Sequence, residues 1–172
     1  MAIIKPNNNT ISAITALPAA IPTGKVLQVV NNTFSTAVTT TSSTYSDTGI
    51  SLAITPSATS SKIVVMFTDW IRHQTGGQIY MGGNYAIVRG STVVWQGDPT
   101  TTEKLGLYHY GISSSPALNL HWNFSGSYTD SPNTTSATTY KTQHKLTFGT
   151  PGYIGSQYAS GIATMTLMEV SG

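Results

Sequence analysis

The sequence predicts an all-β chain: an antiparallel β-sandwich of jelly-roll type over residues 25 to 172, preceded by an extended N-terminal arm over residues 1 to 24. Three observations lead there. Apolar residues alternate with polar ones across five separate segments, the period of a half-buried strand. After residue 25 no helical period of 3.6 survives for more than two turns. Gly, Pro, Asn and Asp punctuate about eight such runs, the pattern of a sandwich or barrel. Composition agrees, with 28 Thr and 20 Ser and only 8% charged residues, against roughly 25% in an average domain. Thr suits a pleated surface through its β-branch. A chain of 172 residues is long enough for one domain with a real core.

The arm reads MAIIKPNNNTISAITALPAAIPTG. Ile11, Ile14 and Leu17 recur every three residues and Ile21 follows between Pro18 and Pro22. The spacing fits a short helix as well as a polyproline-like segment, and the prolines end any helix. So short a one-sided apolar segment has no partner of its own, so it is expected to bury these four residues against another copy of the chain or a larger assembly. Val26 to Val30 is a first strand. Thr33 to Ser46 is a Thr/Ser tract, either exposed strands or a loop. Ile50, Leu52 and Ile54 form a half-buried strand stopped by Pro56. Lys62 to Ile71 holds a nearly continuous apolar run, expected as a central strand covered on both faces. Ala86 to Val88 and Thr92 to Trp95 flank Arg89-Gly90-Ser91, a hairpin in which Gly90 takes positive φ. Leu118, Leu120, Trp122 and Phe124 alternate with polar residues. Ala137 to Phe148 and Gly161 to Val170 complete the strands.

Charge and motifs narrow the function. The net charge is +2 and the eight basic residues are dispersed, which disfavours nucleic acid as a partner. There is no cysteine, hence no disulfide, thiolate metal site or cysteine nucleophile. The opening residues predict no secretory leader, and no apolar run is long enough to span a bilayer. The six acids are Asp47, Asp69, Asp98, Glu103, Asp130 and Glu169. None sits in a catalytic motif, and Asp98 and Asp130 read as turn starters. His73, His109, His121 and His144 show no local metal-ligand spacing. The expectation is therefore no enzyme, no cofactor and no metal. Trp70, Trp95 and Trp122 are read as core. Tyr80, Tyr85, Tyr108 and Tyr110 lie in or beside the segments Gln74 to Tyr85 and Tyr108 to Ala117, expected as outer loops. Rings beside amides suit a glycan surface, while the simpler reading is loop packing or a subunit interface.

The segments ISAITALPAAIPTGKVLQVV, GISLAITPSATSSKIVVM, AIVRGSTVVWQGD, YTDSPNTTSATTYKTQ and ATMTLMEVSG occur in that order. Together they resemble a family of small bacteriophage virion proteins, tail-fibre-like or structural, from phages of aquatic bacteria. The resemblance implies a homotrimeric virion component with an N-terminal anchor and a β-rich outer domain, as a tail fibre, head fibre or capsid decoration. It would be assembled in the host cytoplasm and placed on the outer surface of the virion. Its partners would be itself and other capsid or tail proteins. The competing expectation is a receptor-binding adhesin that recognises host surface polysaccharide.

Overall fold

A computed structural model describes residues 24–75, 80–97, 107–110, 119–148 and 152–172. Within these residues the chain forms strands β1 (Val26–Phe34), β2 (Val38–Thr40), β3 (Ser46–Ile54), β4 (Lys62–Thr75), β5 (Tyr80–Arg89), β6 (Thr92–Gln96), β7 (Leu107–Tyr110), β8 (Asn119–Asp130), β9 (Thr138–Phe148), β10 (Gly152–Ser156) and β11 (Ala163–Val170). A single 3₁₀ turn, Tyr158–Ser160, separates the last two. No α-helix occurs among the described residues, and no helix is long and apolar enough to cross a membrane. Ile11, Ile14, Leu17 and Ile21 lie outside the described residues.

The strands form two antiparallel sheets. In the first, the long β4 pairs along one edge with β8. Its other edge is shared, with β11 along one half and β10 along the other. Beyond these lie β1, paired with β11, and β2, paired with β10. Thus β10 and β11 form one interrupted column, and β1 and β2 another. The second sheet runs β3, β9, β5, with β6 and β7 sharing the far edge of β5. The β5–β6 hairpin turns at Gly90, whose φ is 59°.

The two sheets share one core. Ile63, Val65, Phe67, Ile71, Met165 and Leu167 from the first meet Ile50, Ile54, Tyr85, Ile87 and Tyr140 from the second. Phe67 and Tyr85 stack across the interface with ring centroids 5.3 Å apart and planes 6° apart. Side-chain alternation explains which residues enter. Odd-numbered residues of β4 from Ile63 to His73 are buried, while Val64, Met66, Thr68, Trp70 and Gln74 on its outer face are half-buried. The expectation that β4 is covered on both faces is thus corrected: the outer face keeps partial solvent contact.

Polar groups in this interior are held by specific partners. Glu169 is sealed from solvent at the end of β11. Its Oε1 accepts from the Ser57 amide at 2.7 Å and from the hydroxyls of Ser57 and Ser61 at 2.6 Å, and its Oε2 accepts from Gln28 Nε2 at 2.6 Å. The loop between β3 and β4 is thereby tied to β1 and β11. Burial alone would raise this carboxyl; the donors from Ser57, Ser61 and Gln28 outweigh it and lower it to about 2. His144 on β9 is sealed at 0% exposure, and burial lowers its imidazole to about 4. At the hairpin end Arg89 Nη1 lies 2.7 Å from Asp130 Oδ2, which also accepts from the Tyr140 hydroxyl at 2.7 Å.

These two shifts predict stepwise acid destabilisation. Below the ordinary histidine value of 6.5 the unfolded chain takes up a proton that folded His144, at about 4, does not. Stability therefore falls as pH drops through that window. Glu169 contributes stability above its ordinary value of 4.5, and that contribution is lost as pH falls towards about 2. The urea midpoint should decline from pH 7 to pH 4 and again below it. Replacing His144 by Gln should flatten the upper decline, and Glu169→Gln the lower. An unchanged wild-type midpoint between pH 7 and pH 4.5 would contradict this.

Candidate functional site

The outer face of the first sheet carries a cluster that alternation along three strands assembles. Trp70, Arg72 and Gln74 alternate on β4. Across the ladder they face Asn123, His121 and Asn119 of β8. On the other edge Gln74 faces Tyr153 of β10, and Arg72 faces Gly155. Residues directly opposite in an antiparallel pair share a face, so the whole set lies together.

At Gly155 the ladder stops, and residues 157–162 leave the sheet before β11 resumes. Gln157, Ala159 and Ser160 all have positive φ, at 49°, 53° and 67°. For residues with a side chain each such position costs on the order of 1–3 kcal/mol unless the surroundings enforce it. At Gln157 the interior enforces it. The buried Asp69 accepts the Gln157 backbone N–H on Oδ1 at 3.0 Å, and Gln157 Nε2 donates to the Thr48 carbonyl at 3.2 Å. The other oxygen of Asp69 accepts the Tyr85 hydroxyl at 2.6 Å. Burial, and then the charge of Asp69, push the Tyr85 phenol well above its ordinary value. On the outer side Gly161 lies flat on Trp70: a Cβ there would stand 2.4 Å from Trp70 Cβ and Cδ1.

This excursion sets Tyr158 over the sheet. The Arg72 guanidinium lies 4.0 Å from the Tyr158 ring centroid and 5.0 Å from that of Tyr153, both within cation–π range. His121 is 5.6 Å from Tyr158 and 6.4 Å from Trp70, and Tyr153 is 6.5 Å from Tyr158, centroid to centroid. Arg72 Nε and Nη2 donate to Asn119 Oδ1 at 3.0 and 2.6 Å, and Nη2 also donates to Gln74 Oε1. All its hydrogen-bonding partners are neutral. Trp70, Tyr153 and Tyr158 are half-buried, and His121, Asn119 and Asn123 are exposed.

The sequence-derived tyrosine site is corrected in part. Tyr85 is 1% exposed and points into the core, where its hydroxyl serves Asp69. The Gly82-Gly83 pair beside it reads as loop by composition, yet it lies within β5. Gly83 is there because of close approach: a Cβ would meet His73 Nε2 at 3.0 Å and both Ile154 Cδ1 and the Lys145 carbonyl at 3.1 Å. Tyr80, Tyr108 and Tyr110 also fall in strands, Tyr80 paired with Tyr110 and Tyr108 with Gly82. Trp95 and Trp122 pack against the core as expected, but Trp70 faces outward. The missed signal was parity: Trp70, Arg72 and Gln74 stand out of phase with Ile63, Val65 and Phe67. Nothing local in the sequence brings Tyr158 to Arg72.

The described carboxylates and the buried Ser–His contact have other employment. Asp69, Asp130 and Glu169 are engaged as above, and Asp47 takes Lys141 at 2.9 Å and Gln143 at 2.7 Å. Ser156 Oγ lies 3.2 Å from His144 Nδ1, but both residues are sealed from solvent and among the described residues the His144 Nε2 has no hydrogen-bond partner. A triad needs an accessible hydroxyl and an oriented base. Among the described residues no group of three His, Asp or Glu could hold a metal.

Gly161→Ala should therefore cost about 1–3 kcal/mol by overpacking against Trp70. Melting should drop by several degrees, roughly 2–4 °C per kcal/mol in a chain of this size, with a shift in tryptophan emission. A wild-type melting temperature and spectrum would contradict the close contact. Set against known proteins, the chain matches no family model and no curated protein.

Proposed function

We propose that the chain is a non-enzymatic structural protein of a virus particle, a trimeric fibre-like or capsid-decorating component. Residues 1 to 24 serve as its anchor and residues 25 to 172 as a jelly-roll β-sandwich facing outward. The observation that carries this reading is strand order. One sheet runs β1, β11, β4, β8 and the other β3, β9, β5, β6. With the short β2, β7 and β10 set aside, this order is the one that a jelly roll of two Greek keys, the architecture of viral capsid and lectin domains, would have. Support comes from the surface, poor in charge and rich in hydroxyls, which desolvates cheaply against copies of itself. The strand that follows the anchor adds to it, since Val26 and Val29 of β1 are 48% and 54% exposed. The engaged carboxylates favour a non-catalytic role. The segments that resemble phage virion proteins point the same way.

The second reading, a receptor-binding adhesin for host surface polysaccharide, is favoured by the Trp70, Arg72, His121, Tyr153 and Tyr158 cluster. Its rings and amides suit sugar-recognition chemistry, whereas Tyr85 of the sequence-derived set lies in the core.

Light scattering on the full-length protein should give a trimer, and deleting residues 1 to 24 should weaken assembly more than it lowers the melting temperature. A monomeric full-length chain would contradict the assembly role. A map of the intact particle should place the protein on the outer surface, at the head or the tail.

A further inference from the structure

We propose that the outer-face cluster around Arg72 is a binding site for an acidic saccharide, with a sugar ring set against Tyr153 and Tyr158 and its carboxylate taken by Arg72. This rests on the adhesin reading, whose ligand class it names, and leaves the assembly role to its own test.

The first argument is charge. Arg72 is only 9% exposed, and its partners are two amide oxygens and two aromatic faces. Among the described residues no carboxylate makes an ion pair with it. By contrast Arg89 has Asp130 and Lys141 has Asp47. A desolvated cation with neutral partners gains more from an arriving anion than a solvated one does. Its Nη1 has no hydrogen-bond partner among the described residues and is not one of the sealed, unpartnered atoms of the interior. Among the described residues nothing occupies that edge of the guanidinium, which a carboxylate oxygen would fit.

The second argument is shape and chemistry. The half-buried rings of Tyr153 and Tyr158 and the exposed ring of His121 flank this charge, and flat rings suit the apolar face of a pyranose. Exposed Asn119 and Asn123, with Gln74 between β8 and β10, provide amide donors and acceptors for hydroxyls. An apolar protein anchor would gain little from this ring of amides.

The third argument is strain. Gln157, Ala159 and Ser160 have positive φ, and the first of them is held in place by Asp69 and Thr48 from within. The product of that strain is the position of Tyr158 over Arg72. Strain of this kind clusters at ligand sites because it preorganises them.

The test uses the full-length protein and oligomers of glucuronate, galacturonate and mannuronate, each paired with its methyl ester, which removes the charge and keeps the ring. Titration calorimetry and tryptophan quenching should show binding to at least one acid. Its ester should bind at least about tenfold more weakly, the size of one charge-assisted hydrogen bond. Arg72→Gln should abolish the difference between acid and ester, and Tyr158→Ala should weaken both. Because Arg72→Gln removes a buried contact, Tyr153→Ala is the check, with wild-type circular dichroism required of each variant. No binding to any of the three acids overturns the proposal. So does equal binding of acid and ester, or Tyr158→Ala and Tyr153→Ala that fold and bind as wild type. Protection of the cluster by a second copy in the assembled protein, seen as loss of labelling at Tyr153 and His121 on oligomerisation, overturns it in favour of a subunit contact.

Discussion

The buried carboxylate of Asp69 is the interaction on which the rest of the structure turns. A charge inside a β-protein is tolerated only when fully bonded. Asp69 sits on the inner face of β4 and takes one donor from each direction: the Tyr85 hydroxyl from the opposite sheet at 2.6 Å and the Gln157 amide from its own at 3.0 Å. The first bond pins the register of β5, because a one-residue slip would turn Tyr85 outwards and strand the charge. The second holds Gln157 in the left-handed region and breaks the column between β10 and β11.

Consequences reach both faces of the first sheet. Inside, Thr48, Thr142 and Tyr85 gather around the same point, with Thr48 Oγ1 2.6 Å from Thr142 Oγ1, so that three strands of the second sheet are fastened to β4. Outside, the displaced residues 157–162 lie across β4, with Gly161 against Trp70 and Tyr158 over Arg72. Binding features usually ride on loops above a rigid scaffold. Here the scaffold's own interior holds the excursion, so the outer cluster inherits the stiffness of the core. A particle shell and a ligand platform are compatible uses of such a stiff outer wall.

Much of this was legible in the residues. Period-two runs placed β3, β8, β9 and β11, and Arg89-Gly90-Ser91 marked the β5–β6 hairpin. The continuous apolar run Ile63 to Phe67 marked β4 as central, as its pairing on both edges confirms. Apolarity alone, however, cannot say which face of a strand is covered, and Trp70 was misplaced for that reason. Gly82 and Gly83 read as loop because sequence does not distinguish a glycine needed for freedom from one needed for space. β10 escaped notice because it is short and holds two glycines. The contact of Tyr158 with Arg72 depends on three positive φ values between Ser156 and Gly161, and a sequence of Gln, Tyr, Ala and Ser does not advertise them.

The most direct measurement is native-state hydrogen exchange at the Gln157 amide. If Asp69 holds this donor as described, the amide exchanges only when the two sheets separate, with the same opening free energy as the central amides of β4 and β9. Asp69→Asn should then speed its exchange well ahead of theirs. Exchange at the rate of an open loop in the wild-type protein, while the central amides of β4 stay protected, would contradict the account.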